Sequence, residues 1–288
     1  MLDQRTDAWT ELRKTMIGAS DTPIIMGVSP WKTGYQLWLE KMGLEKDITN
    51  YAMERGIRRE PECLEAFNKA TGLQMQPEVV FSDEYDFMMA SLDGISPCRK
   101  YIVEIKNIGE DDHALALDGH VPPRYYPQLQ KQMLVTKLDM VYYYSCCGDK
   151  RVILEVHRDQ DYMDKIICEE KKFYSHMIDF IAPPLEERDY VLVTNGAWLE
   201  CAREYQRISQ EVKRLSIEEE KYKNMLIAMS GNKNSKGAGL KLSRISRKGV
   251  IDYTQIPEIK NMDLEAYRKP ASFYWTVKVE KTVDRNYN

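Results

Sequence analysis

The stretch Ser91–Lys106, SLDGISPCRKYIVEIK, decides how the chain is read. Asp93 is followed by ten residues and then by Glu104-Ile105-Lys106, an acid and a base inside an apolar run. A β-strand repeats every two residues, so Glu104 and Lys106 share one face, while Val103 and Ile105 take the other with Tyr101. The apolar face packs on a core. Burying the charged face without partners costs several kcal/mol, so its partners must be found. Asp93, at a strand end before Gly94, is the first, because a hairpin-like excursion brings it beside Glu104. Two carboxylates converging at a strand end make a hard-oxygen site suited to Mg2+, with Mn2+ as the alternative ion. Such an ion offsets the repulsion of the acids, polarises a phosphoryl oxygen and lowers the pKa of a bound water. Lys106 beside that water would orient it and stabilise charge developing in the transition state. Taken alone, the same spacing also fits a surface hairpin with an ion pair.

Bulk properties narrow the class. The 288 residues are 43% hydrophobic and 30% charged, with a net charge of −4, as in ordinary globular proteins. No apolar run approaches the roughly 20 residues of a membrane span. The opening MLDQRTDAWTELRK lacks the apolar core of a signal peptide, so a cytoplasmic protein with no membrane partner is expected. Cys63, Cys98, Cys146, Cys147, Cys168 and Cys201 form no CxxC pair and read as reduced thiols rather than a zinc or iron–sulfur site. Between Asn232 and Val250, Lys233, Lys236, Lys241, Arg244, Arg247 and Lys248 occur with no acid. That cluster is either a solvated loop and hairpin or a weak DNA-contact surface, through Lys241, Arg244 and Arg247.

Periodicity places these residues on elements. Trp9, Leu12 and Met16 recur at helical spacing, with Gly18 as the expected stop. Ser20 or Asp21 is expected to cap a following helix that has Pro23 in its first turn. Thr33 caps a helix presenting Leu37, Trp38 and Met42, which stops at Gly43. MERGIRREPECLEAFNKATG is a helix ending at Gly72, with Leu64 and Phe67 toward the core. Val79–Phe81, Phe87–Ala90 and Tyr101–Lys106 read as strands. PRYYPQLQKQMLVTKL is a helix with polar and apolar faces, and Val141–Cys146 with Arg151–His157 forms a hairpin around Gly148-Asp149. Asp159 caps a helix running to about Phe180. APPLEERD then breaks the chain, giving a domain over 1–182 and an extension over 183–288. In the extension, Trp198, Cys201, Tyr205, Ile208, Val212, Leu215, Tyr222, Leu226 and Met229 alternate steps of three and four, broken only at Glu219. This coiled-coil pattern fits a long helix packed on its own chain, or self-association as a homo-oligomer or pairing with a partner helix. GNKNSKGAG is a flexible loop, and LKLSRISRKGVIDY and ASFYWTVKVEK suggest short strands.

Four blocks in order resemble the phage lambda-type exonuclease family, also called YqaJ-type viral recombinase nucleases, within the PD-(D/E)XK superfamily. WTELRKTMIGASD supplies an Arg and, seven residues on, a Ser, at Arg13 and Ser20. MERGIRREPECLEAF matches a Met-x-x-Gly-x-x-x-Glu-Pro helix and puts the acid at Glu60. SLDGI and VEIK give Asp93, Glu104 and Lys106; YYPQLQKQMLVT gives Tyr125 and Gln128. The blocks cover about Arg5 to His176; the extension lies outside the minimal pattern, and no chemistry is carried onto it.

The resemblance implies an α/β fold: a mixed central sheet flanked by helices, a restriction-endonuclease-like core, with a C-terminal extension of helix and short strands. It further implies removal of nucleotides 5′ to 3′ from duplex DNA ends with Mg2+, leaving a 3′ single strand for a strand-annealing recombination protein. Asp93, Glu104, the Ile105 carbonyl and Glu60 would hold the ion. Lys106 and Gln128 would position the attacking water, and Arg13 and Ser20 would bind the terminal 5′-phosphate. Arg offers a planar fork for phosphate, and a Ser at a helix start adds a hydroxyl where anions are favoured. Plainer readings stand beside these. Glu60 fits an ion pair with Arg58 or Arg59, and Gln128 and Gln132, four apart, fit a polar helix surface. A structure- or site-specific endonuclease of the same superfamily, and a DNA-end-binding scaffold without catalysis, are the competing functions.

Overall fold

The alternation of Tyr101–Lys106 forms a strand because both of its faces find partners. The computed structural model describes residues 4–45 and 51–252, together with 255–257, 259, 262 and 277. In chain order the elements are α1 (Asp7–Thr15), β1 (Ile17–Gly18), α2 (Thr22–Ile25), α3 (Gly34–Lys41), α4 (Tyr51–Thr71), β2 (Gln76–Phe81), β3 (Met88–Ile95) and β4 (Ile102–Asn107). They continue with α5 (Glu110–Leu117), α6 (Tyr126–Thr136), β5 (Met140–Cys147), β6 (Lys150–His157) and α7 (Gln160–Ile178). A 3-10 turn (Glu187–Asp189), α8 (Gly196–Met229), β7 (Ser235–Gly237) and β8 (Leu240–Leu242) complete the described chain.

The central sheet runs β1-β3-β4-β5-β6, with β2 also paired to β3. β3 is antiparallel to β2 and β4, whereas β1–β3 and β4–β5 are parallel, so the sheet is mixed as expected. Period-two alternation sends β4 residues to two cores. Ile102 joins Leu92, Leu129, Met133, Tyr143, Ile166 and Phe173 on one side. Val103 and Ile105 join Cys63, Phe67, Met75, Tyr144 and Cys146 on the other. Each such buried side chain contributes about 1.5–3 kcal/mol.

Several ends follow their local signals. Thr33 Oγ1 accepts from Gln36 N and the Gln36 side chain answers, a full capping box. Gly43 and Gly72 take φ of +69° and +74° just past their helices. Asp159 Oδ1 accepts from Tyr162 N at 3.0 Å. Two expectations fail for a tertiary reason. The first helix stops at Thr15, not Gly18, because Ile17 and Gly18 pair in parallel with Met88 and Met89. Asp21 makes no capping bond to the single-turn α2, since its carboxylate is engaged elsewhere.

The chain forms two compact units, Met1–Val191 and Leu192–Asn288. α7 ends at Ile178, before Pro183-Pro184, and the chain beyond the prolines stays on the first unit as far as Val191. Thr33 Oγ1 donates to Asp189 Oδ1 at 2.6 Å, and Arg188 Nη1 donates to Ser29 O at 3.0 Å. In the second unit, α8 is capped by Asn195 and laced by ion pairs such as Arg207–Glu204 and Arg214–Glu218. None of its residues is buried. β7 and β8 form a hairpin; the expected strand in ASFYWTVKVEK lies outside the described residues.

Gly94 has no room for a side chain. A Cβ there would sit 2.7 Å from Met75 Cβ and 2.8 Å from Val103 Cγ1. Gly94→Ala should lower unfolding stability by about 1–3 kcal/mol, read from urea denaturation.

Candidate active site

The pairing of β3 with β4 covers only Gly94↔Val103 and Ile95↔Ile102. The next free amide of β4 goes to a side chain instead: Ile105 N–H donates to Asp93 Oδ2 at 2.7 Å. The two strands therefore part at Asp93, and its carboxylate is tied to the backbone between Glu104 and Lys106. Asp93 lies within β3 rather than at its end, and it is the split in pairing that frees its side chain.

Glu104 is 2% exposed. Its Oε1 accepts from Gln128 Nε2 at 2.6 Å and lies 2.5 Å from Lys106 Nζ. Its Oε2 accepts from Gln132 Nε2. Lys106 Nζ also donates to Gln128 Oε1 at 3.0 Å and lies 5.2 Å from the Tyr125 ring centroid. Gln128 and Gln132 reach one carboxylate because they sit one turn apart on α6. The polar residues of α6 are buried rather than solvated, which corrects the surface reading. Gln130 Nε2 donates to His157 O at 2.9 Å, and Lys131 pairs with Glu170, which accepts from Thr22 Oγ1 at 2.7 Å. A buried polar helix of this kind is stable only because nearly every group is paired.

The charges do not balance around Asp93. Burial, then the negative charges of Glu104 and Glu60, push its carboxyl well above the usual carboxylate range. Burial pulls the Lys106 amine down, but Glu104 and Asp93 together hold it above its ordinary value. Two buried acids thus share one amine, and a divalent cation beside Asp93 and Glu104 would offset their mutual repulsion. The donors at hand are those two carboxylates and the adjoining Ile105 carbonyl. Glu60 is turned aside: its Oε2 takes Arg5 Nη2 at 2.6 Å, not Arg58 or Arg59. Among the described residues, no three acidic, His or Cys side chains are placed to grip a single ion.

Arg13 and Ser20 do come together. Arg13 Nη2 donates to Ser20 Oγ at 3.0 Å and to Asp21 Oδ1 at 2.9 Å. Asp21 Oδ2 accepts from Gly18 N at 2.9 Å and from Lys41 Nζ at 2.6 Å, and Lys41 also donates to the carbonyls of Arg13 and Met16. Trp9 lies against the guanidinium, 4.9 Å from its ring centroid to Arg13 Cζ. Sequence reasoning missed Asp21 and Lys41 as the group that fixes Arg13. The available signal was Lys41 sharing the buried side of its helix with Leu37 and Trp38. Lys241, Arg244 and Arg247 lie in the second unit, exposed on and after β8.

A split pair of strands, an Asp and a Glu-x-Lys at the split, and helices on both faces define a restriction-endonuclease-like α/β fold. Residues 8–139 match the sequence profile of the YqaJ-like viral recombinase domain. The chain is 27% identical over 179 residues to uncharacterized protein YqaJ of Bacillus subtilis (strain 168), covering 60% of this chain and 56% of that protein. The match thus spans little more than half of that relative's length. A shorter segment of 49 residues is 41% identical to protein D345L of African swine fever virus (strain Badajoz 1971 Vero-adapted), covering 17% of this chain and 14% of that protein. The fold is that of an alkaline exonuclease (LHK-Exo) from Laribacter hongkongensis, with TM-score 0.54 and 22% identity over 61% of this chain and 94% of that chain. Among the described residues no helix is long and apolar enough to cross a membrane.

Burial raises the pKa of Asp21, but Lys41 and Arg13 outweigh it and bring the value down to about 2. A depressed carboxylate stabilises the fold above its unfolded pKa of about 4, and that contribution is lost as pH falls through about 2. Urea unfolding between pH 5 and pH 2 should lose on the order of 2 kcal/mol from this group. Asp21→Asn should flatten that part of the profile and lower stability at pH 7.

Proposed function

We propose that the protein is a Mg2+-dependent exodeoxyribonuclease. It degrades linear double-stranded DNA 5′ to 3′ from 5′-phosphorylated ends and leaves 3′ single strands for a strand-annealing recombination protein. The observation that carries this reading is the junction at the strand split, where Asp93, Glu104 and Lys106 meet Gln128. The match of residues 8–139 to the YqaJ-like viral recombinase domain profile and the shared fold support it.

Asp93, Glu104 and the Ile105 carbonyl would hold the metal ion, and Glu60, ion-paired with Arg5, adds its negative charge near Asp93. When bound, the ion polarises the scissile phosphate and makes a neighbouring water more acidic. Lys106 stands at the same carboxylate oxygen as Gln128, so the pair can orient a water for in-line attack. The Lys106 ammonium then faces the charge that builds on the phosphoryl oxygens. Gln132 fixes the second oxygen of Glu104 and keeps that carboxylate from rotating.

Arg13 and Ser20 receive the terminal 5′-phosphate. Asp21, Lys41 and Trp9 hold the guanidinium before any ligand arrives, which reduces the ordering cost of binding. In the second unit, Lys236 pairs across the hairpin with Lys241, and Arg244 and Arg247 follow. Like charges directly opposite repel, and a DNA backbone relieves that repulsion. Tyr125 lines the DNA path beside Lys106. The heptad seam of α8 supports self-association as a homo-oligomer.

Glu104→Gln should abolish Mg2+-dependent nucleotide release from linear duplex while DNA binding persists; unchanged turnover would reject the mechanism. Closed circular duplex should resist the unaltered protein, and its cleavage would favour an endonuclease. Arg13→Ala should erase at least about a tenfold preference for 5′-phosphate over 5′-hydroxyl ends, since a charge-assisted contact contributes about 1.5–3 kcal/mol. Equal digestion of both ends by the unaltered protein would overturn the role given to Arg13.

A further inference from the structure

Trp31 is 65% exposed, an unusual place for a large aromatic ring. Its loop is nonetheless held from both sides. Ser29 Oγ accepts from Trp31 N at 3.3 Å, Arg188 Nη1 donates to Ser29 O, and Thr33 Oγ1 donates to Asp189 Oδ1. A tryptophan kept in water on an anchored loop is presented to something.

What lies beside it identifies the partner. The Arg124 guanidinium carbon is 5.2 Å from the Trp31 ring centroid and 5.2 Å from that of Tyr125. The two rings are 6.4 Å apart, and Lys106 Nζ lies 5.2 Å from the Tyr125 ring centroid. Arg124 is locked by an ion pair with Asp112 on α5, and its buried Nε has no hydrogen-bond partner. The row Trp31–Arg124–Tyr125–Lys106 therefore runs from an open ring face to the amine of the catalytic junction.

We infer that Trp31, Arg124 and Tyr125 form a stacking platform for an unpaired nucleobase next to the phosphodiester being cut. This rests on the nuclease reading for the position of that phosphodiester. Nucleobases stack on aromatic rings and on guanidinium planes without regard to sequence. The free face of Trp31 supplies the contact. Arg124 and Tyr125 hold the ring in place and put positive charge beside the nucleotide's phosphate. A base stacked here has left its partner strand, so the platform separates the strand entering the site from the one spared.

The test uses the full-length chain and a 5′-phosphorylated duplex with 2-aminopurine as its terminal base and a dye at the far end. With Ca2+ replacing Mg2+, the unaltered protein should change the 2-aminopurine fluorescence on binding. Trp31→Ala should lose that change with an unaltered melting temperature, while Trp31→Phe keeps most of it; Arg124→Lys should weaken it. With Mg2+, Trp31→Ala should digest fully paired ends about tenfold more slowly, with a much smaller effect on ends whose terminal bases are mismatched. An equal fluorescence change for Trp31→Ala and the unaltered protein would overturn the platform. A Trp31-dependent change without any Mg2+-dependent digestion would uphold stacking and overturn the nuclease reading instead.

Discussion

The hydrogen bond from Ile105 N–H to Asp93 Oδ2, 2.7 Å long, is the constraint on which the rest depends. It replaces a rung of the β3–β4 ladder with a side chain. One consequence is geometric, because the strands part where the acids stand. Another is electrostatic, because the bond holds Asp93 near Glu104 although both are acidic, and its carboxyl is pushed upward as a result. A third is steric. Gly94, beside Asp93, sits so close to the side chains of Met75 and Val103 that no Cβ fits at the parting point.

Around that junction the protein places paired polar groups where an apolar core would be simpler. α6 brings Gln128 and Gln132 to Glu104 on one side and Lys131 to Glu170 on another. Glu170 also takes the hydroxyl of Thr22, the residue that follows Ser20-Asp21 and opens α2. The helix that shapes the carboxylate site and the turn that holds Arg13 are thus tied to the same buried ion pair. Breaking one partner of such a pair leaves an uncompensated buried charge, at a cost of about 3–5 kcal/mol. This gives a physical reason for both ends of the site to keep a fixed spacing.

Much of the frame was legible because the signals were local. Alternation in Tyr101–Lys106, the Thr33 and Asp159 caps and the glycines after α3 and α4 each reflect chemistry within a few residues. The order of motif blocks pointed to the profile that residues 8–139 match; Asp93, Glu104 and Lys106 come together as the spacing implied, and Gln128 joins them as the resemblance implied. Other features depend on contacts distant in sequence. Gly18 does not end α1, because strand pairing with Met88 and Met89 takes over. Asp21 reads as a cap until Lys41 and Arg13 are seen around it. The polar face of α6 looks solvated until β4, β6 and α7 are folded over it. Glu60 pairs with Arg5 across 55 residues rather than with its helical neighbours.

The central claim is that one divalent ion is shared by Asp93 and Glu104. Calorimetric titration of the full-length protein with Mn2+ tests it most directly, comparing the unaltered chain with Asp93→Asn and Glu104→Gln. A single site per chain, weakened at least about tenfold by either substitution in a protein that still unfolds cooperatively, is the predicted result. Binding of the same strength and stoichiometry in both variants would contradict it.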